Sequence, residues 1–411
     1  MSAMSMRMTS AMSVSRRSFV KSMGTGAAAL LVGARGREAW AGTQSATSAF
    51  VPSATSDLLL SSNENPLGPG QHVLEAMQGI LGESGAGAGR YFFAQQAKMR
   101  EVLGAAHGAR ESNVVVGAGS SEILLIAADV FTTPDRGVVT PDPTFGTCAG
   151  RAALLGHPVE RIGLDAALRV DLQRMVSAAK GAGLVYLCNP NNPTATAWSG
   201  PDMRAAILEM LKISPETTIL VDEAYYEYAT DPSYATMIPL ALENPRVMVA
   251  RTFSKAYGMA GLRLGYGVSH EDTIKKMSDW RGMDMFTSVP GRVGAVVALG
   301  NKPYLAKEVE RNEVVRRATR KFFHDAGYED TDSQANFVYI DIRSSNEDFK
   351  KACRERGVRI GGGSKLYPKR ARISLGTMEE MERAFGVFED ALKEVKQELE
   401  ALLEQTHAPG E

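Results

Sequence analysis

Residues Val247–Val268 read VMVARTFSKAYGMAGLRLGYGV. The stretch opens as an apolar strand, breaks at Thr252-Phe253-Ser254-Lys255, passes Gly258 and Gly261, and returns as a second apolar run that contains Arg263. A lysine placed where a buried strand ends is available for covalent chemistry, because loss of hydration favours the neutral, nucleophilic amine. Taken alone, Lys255 is more ordinarily a solvated loop residue. Its meaning has to come from the rest of the chain.

Working outward, apolar runs rich in Val, Ile and Leu alternate with longer segments of helical period, the pattern of a mainly parallel sheet flanked by helices. The expected strands are 113–117, 137–140, 184–188, 218–221, 247–250 and 262–268. Polar, turn-rich segments close the first five. The first leads into Gly117-Ala118-Gly119-Ser120-Ser121-Glu122 and a helix over 123–131, and the second into Pro141-Asp142-Pro143-Thr144-Phe145. The third leads into Asn189-Pro190-Asn191-Asn192-Pro193-Thr194, the fourth into Asp222-Glu223-Ala224-Tyr225, and the fifth into Ser254-Lys255. Ligands of open α/β sheets sit outside the carboxyl ends of the strands, so these segments are expected to share one site.

Beyond about residue 300 the character changes. A charged helix over 304–326, a strand near 336–341, a helix near 349–356, a strand over 371–375 and an amphipathic helix over 379–405 describe a smaller α+β unit. The expected organisation is a leader at 1–41, a flexible N-terminal arm at 42–70, a large domain at 71–300 and a small domain at 301–411. Forty-six basic residues against 47 acidic ones leave no basic excess for nucleic-acid phosphates. Cys148, Cys188 and Cys353 stand far apart without a CxxC pair, so no metal site or disulfide framework is expected.

In the leader, Ser15-Arg16-Arg17-Ser18-Phe19-Val20-Lys21 precedes a weakly apolar run over 23–33, and Ala39-Trp40-Ala41 offers small residues for a signal peptidase. The pattern resembles a twin-arginine export signal, which implies a periplasmic protein exported in the folded state. The apolar run is too short for a stable membrane span.

Gly119-Ser120-Ser121 at a strand-to-helix turn combines backbone N–H groups, hydroxyls and the positive end of a helix dipole, which suits a phosphate. Ser254, Thr252 and Arg263 around the lysine add to that cradle. Asp222 leaves an apolar strand and needs a charged partner, which a protonated ring nitrogen would supply. Glu223 beside it points to the other strand face, which argues against a carboxylate pair. Taken together, Asn191-Asn192-Pro193-Thr194, Val221-Asp222-Glu223-Ala224-Tyr225, Ser254-Lys255 and Gly261-Leu262-Arg263-Leu264-Gly265 resemble a fold-type I, pyridoxal-phosphate-dependent aminotransferase of class I/II. Within that group the chain most resembles the histidinol-phosphate aminotransferase branch, from about Leu58 to the C-terminal helix.

The resemblance implies that Lys255 holds pyridoxal 5′-phosphate as an internal aldimine, with Asp222 on the pyridinium nitrogen and Asn192 and Tyr225 on the ring oxygen. Gly119, Ser120, Ser121, Thr252, Ser254 and Arg263 would hold the phosphate, and Phe145 would cover the ring. Tyr91 would reach the phosphate of a neighbouring subunit, which implies a homodimer. Arg372 would take the substrate α-carboxylate, with Asn65 as a further substrate contact. Lys255, Asp222 and Tyr225 would form the catalytic set, moving an amino group between an L-amino acid and a 2-oxo acid with ping-pong kinetics. The same scaffold also supports an amino-acid decarboxylase or lyase, or a histidinol-phosphate aminotransferase proper.

One departure bears on the substrate. Relatives carry an arginine for a substrate phosphate where this chain has Gly361, in Gly357-Val358-Arg359-Ile360-Gly361. Two readings stand: Arg359 substitutes, or the substrate carries no phosphate. An export signal favours the second.

Overall fold

A computed structural model describes residues 57–82, 89–91, 93–281 and 286–407. The export-signal reading and the lead up to residue 56 lie outside the described residues. The strands are β1 (Leu58–Leu60), β2 (Val114–Gly117), β3 (Val138–Asp142), β4 (Val159–Gly163), β5 (Leu184–Cys188), β6 (Thr218–Asp222), β7 (Val247–Thr252), β8 (Gly265–Ser269), β9 (Glu329–Asp330), β10 (Phe337–Asp341), β11 (Val358–Ile360) and β12 (Arg370–Ser374).

A seven-stranded sheet with the order β2-β8-β7-β6-β5-β3-β4 forms the centre. Its pairs are parallel except at β8, which runs antiparallel to both β2 and β7. Strand side chains alternate between faces, and here both faces are buried. Val185, Leu187, Ile219, Val221, Val247 and Val249 belong to one apolar core, whereas Leu184, Tyr186, Cys188, Leu220, Met248 and Ala250 belong to the other. This two-sided burial explains why the central strands read as unbroken apolar runs.

Two strands differ from expectation. β4 carries the exposed Glu160 and Arg161 at the sheet edge, so it has no apolar run to betray it. The run expected to begin at Leu262 becomes a strand only at Gly265, because Ala260–Leu262 forms a 3-10 turn and Arg263 takes a left-handed conformation (φ 53°). That turn sends the Arg263 guanidinium back to Ser254 Oγ (3.3 Å) and the Ala260 carbonyl (2.9 Å) instead of along a strand.

A further sheet, β12-β10-β9, packs with the helices Lys302–Asp325, Asn346–Glu355 and Met378–His407 around Val315, Phe323, Ile340, Phe349, Ile373 and Phe388. The last helix buries Met381, Ala384, Phe388, Ala391, Leu392 and Val395, so one face is core and only the other is exposed. Residues 57–70, expected to belong to a flexible N-terminal arm, include β1, which pairs parallel with β11 and buries Leu58 and Leu60 in this same core.

Candidate active site

The loops after β3, β5, β6 and β7 line one cavity of about 450 Å³. Its walls include Ser120, Ser121, Phe145, Asn192, Asp222, Tyr225, Thr252, Ser254, Lys255, Arg263 and Arg372, drawn from distant parts of the chain.

Lys255 Nζ donates to the Ser62 carbonyl (3.1 Å) and lies 5.7 Å from the centre of the Tyr225 ring. Burial, followed by the nearby Arg372, lowers its pKa to about 8. A substantial fraction of the amine is therefore neutral just above neutral pH. Asp222 ends β6 fully buried, accepting from Tyr186 Oη (2.9 Å) and the Ala224 N–H (3.2 Å). Burial nevertheless pushes its pKa up to about 6, so the carboxylate stands short of a positive partner.

The Tyr225 hydroxyl accepts from Asn63 Nδ2 (3.0 Å) and Asn192 Nδ2 (3.4 Å). Asn192 Oδ1 accepts from Arg372 Nη1 (2.8 Å), and Arg372 Nη2 donates to the Ser61 carbonyl (2.8 Å). Arg372 Nε is buried without a hydrogen-bond partner. Thr252 Oγ1 accepts from the Ser254 N–H (3.1 Å) and donates to the Leu264 carbonyl (3.4 Å), while Ser254 Oγ accepts from Arg263 Nη1 (3.3 Å).

Glycine is required in the cradle opposite. Gly119 precedes the helix Ser120–Phe131 at φ 82° and gives it no side-chain cap. A Cβ there would meet Arg263 Nη2 at 2.3 Å. The uncapped first turn, two serine hydroxyls and an arginine fork form a pocket for a dianion.

Some expected residues lie elsewhere. Asn65 does not line the cavity: its Nδ2 donates to the Ala256 carbonyl (3.1 Å) and its Oδ1 accepts from the Leu67 N–H (2.9 Å), which makes it a turn brace. Asn63 and Glu64 face the cavity instead. Arg359, a candidate for holding a substrate phosphate, points to the exposed side of β11 and pairs with Asp57 (2.7 Å). Tyr91 is exposed and outside this chain's own cavity. Glu223 turns to the opposite sheet face and pairs with the buried Arg251 (2.7 Å), as strand alternation requires.

Asn63 and Tyr186 were not foreseen. A tyrosine in an otherwise apolar buried strand needs a partner for its hydroxyl, and that signal was present in β5. For Asn63 the turn-rich run Asn63-Glu64-Asn65 marks a location but does not choose between its two amides.

Residues 55–388 match the aminotransferase class I and II family. The chain belongs to that family. Among curated relatives, the aminotransferase is 32% identical over 335 residues to the histidinol-phosphate aminotransferase of Bacillus velezensis, covering 81% of this chain and 91% of the relative. It is 34% identical over 346 residues to histidinol-phosphate aminotransferase 1 of Nitrosococcus oceani, covering 82% and 89%. A crystal structure of the Sinorhizobium meliloti histidinol-phosphate aminotransferase with pyridoxal 5′-phosphate superimposes with a TM-score of 0.75 at 25% identity, over 82% of this chain and 91% of that one. The enzyme is a pyridoxal-phosphate-dependent aminotransferase of fold type I. Its cavity fits that cofactor: a lysine with a lowered pKa, a buried carboxylate short of a cation, and a dianion cradle that a Cβ at Gly119 would fill.

Proposed function

We propose that this aminotransferase transfers the amino group of an unphosphorylated L-amino acid to a 2-oxo acid in two half-reactions, using Lys255 as attachment point and proton carrier. The convergence of Lys255, Asp222, Tyr225, Asn192 and Arg372 on one cavity carries the reading. Pyridoxal phosphate, when bound, supplies an electron sink that acidifies the substrate α-carbon. Lys255 Nζ would carry the α proton, a task for an amine whose pKa is near the working pH. Asp222 would pair with the cofactor's ring nitrogen and keep its proton in place, while Asn192 and Tyr225 would hydrogen-bond the ring oxygen. Gly119, Ser120, Ser121, Thr252, Ser254 and Arg263 would hold its phosphate, and Phe145 would cover the ring. Tyr91, exposed and outside its own cavity, supports a homodimer in which it completes the neighbour's site.

Arg372 binds the α-carboxylate as a planar fork. Arg372→Ala is expected to raise KM for the amino acid by about 10- to 100-fold, the loss of a charged hydrogen-bonded contact. Steady-state kinetics of the variant check this, and an unchanged KM would remove Arg372 from the substrate site.

The absence of a phosphate from the substrate is supported by two positions. Gly361 has no side chain to offer, and Arg359 is paired with Asp57. A screen of amino donors, histidinol phosphate among them, against several 2-oxo acids tests the function. Oxo-acid formation from unphosphorylated donors is expected. A clear preference for histidinol phosphate would overturn the substrate reading, and carbon dioxide release without oxo acid would replace transfer with decarboxylation.

Export to the periplasm by the twin-arginine route is supported by Arg16-Arg17 and Ala39-Trp40-Ala41, ahead of a family match that begins at residue 55. Among the described residues no helix is long and apolar enough to cross a membrane. Cell fractionation is expected to find the wild type in the periplasm and the Arg16→Lys/Arg17→Lys variant in the cytoplasm. Wild-type protein retained in the cytoplasm with its leader attached would contradict export.

A further inference from the structure

Ser61, Ser62, Asn63 and Glu64 run along one wall of the active-site cavity, the first three each against a different part of the machinery. The Ser61 carbonyl accepts from Arg372, the Ser62 carbonyl from Lys255, and the Asn63 amide donates to Tyr225. Glu64 is next along this wall. Its backbone carbonyl accepts from Asn336 Nδ2 (3.3 Å), while its exposed carboxylate has no hydrogen bond or ion pair among the described residues.

The charged residues lining the cavity are Glu64, Asp222, Lys255, Arg263 and Arg372. In the proposed amino transfer, on which this inference rests, four of them have tasks. Arg263 meets the cofactor phosphate, Asp222 the ring nitrogen, Lys255 the reacting carbon and Arg372 the α-carboxylate. Glu64 is left over. An amino acid whose carboxylate and amine meet Arg372 and Lys255 would stand against this wall, because the Ser61 and Ser62 carbonyls hold those two side chains. Among the described residues no cation beyond Lys255, Arg263 and Arg372 lines the cavity: Gly361 packs against Arg372 and Arg359 lies outside on Asp57.

We propose that Glu64 is a specificity determinant and that the preferred amino donor has a positively charged side chain, an ammonium or a guanidinium. An exposed carboxylate lining the cavity attracts such a donor and orients its cationic end. The same carboxylate repels glutamate or a phosphorylated substrate. Glu64 is also close enough to Lys255 to oppose the effect of burial on its amine. A residue acting only by tuning Lys255 would alter the rate for every donor alike, which separates the two roles.

The test uses purified holoenzyme and a single half-reaction, followed by the loss of visible cofactor absorbance, so that no acceptor has to be known. L-Arginine and L-lysine are compared with L-norleucine and L-glutamate. The cationic donors are expected to half-saturate at about tenfold lower concentration or less, the value of one charged hydrogen bond. Glu64→Gln should erase that preference by raising the half-saturating concentration of arginine and lysine, and Glu64→Lys should turn the preference toward glutamate. Preference for norleucine or glutamate in the wild type would overturn the proposal. So would a Glu64→Gln variant slowed by one common factor with all four donors. A spectrum unchanged by every donor would overturn the underlying function together with this inference.

Discussion

Lys255→Ala is expected to abolish turnover, with a fall in kcat of about ten-thousand-fold or more, the upper range of a positioned proton carrier. The variant loses the covalent anchor as well as the base, so visible absorbance from attached cofactor should vanish with the activity. An unchanged spectrum would refute the assignment of Lys255. Lys255→Arg is no remedy, since a guanidinium stays protonated at all working pH values. The sign of the pH dependence follows from burial. Because the Lys255 amine has its pKa lowered to about 8, its capture of added pyridoxal phosphate by the unloaded protein should accelerate as pH rises through that value and then level off. An unperturbed lysine would keep accelerating well beyond it.

Asp222→Asn should lower kcat by about 100- to 1,000-fold, the usual consequence of removing one preorganised charge from a buried site. Asparagine preserves the shape and retains an acceptor for Tyr186 Oη, so the variant isolates the charge. Circular dichroism that matches the wild type, together with a kcat within a fewfold of it, would show that the ring nitrogen needs no anion here. A second signature lies in acid. With Asp222 raised to about 6, protonation as pH falls through that region removes the anion and should loosen the cofactor. Bound cofactor pulls this midpoint lower by favouring the carboxylate, and Asp222→Asn should lack that acid limb altogether.

Much of this site was legible because its chemistry lies at strand ends. A buried parallel strand is an apolar run closed by polar turn residues, so Leu184–Cys188 could be delimited from Gly183 and Asn189 alone. The order of those turns along the chain carried the resemblance. The hidden part depends on geometry that one-dimensional spacing does not encode. Asn63 sits at φ 53°, and the amide that reaches Tyr225 is therefore its own and not that of Asn65. Arg359 shares a strand face with Gly361 by spacing, yet β1 arrives alongside and Asp57 fixes the guanidinium outside the cavity. β4 escaped notice because an edge strand can expose charge where a central one cannot.

That first strand also limits how the chain can be trimmed. Leu58 and Leu60 are buried among residues of the C-terminal helices and sheet, Asp57 neutralises Arg359, and the next residues along the chain form the cavity wall. A truncation that reaches past Asp57 removes a strand from one core and the support beneath Ser61 and Ser62. The N-terminal limit of a foldable chain is thus set from inside the fold, by hydrogen bonds between β1 and β11.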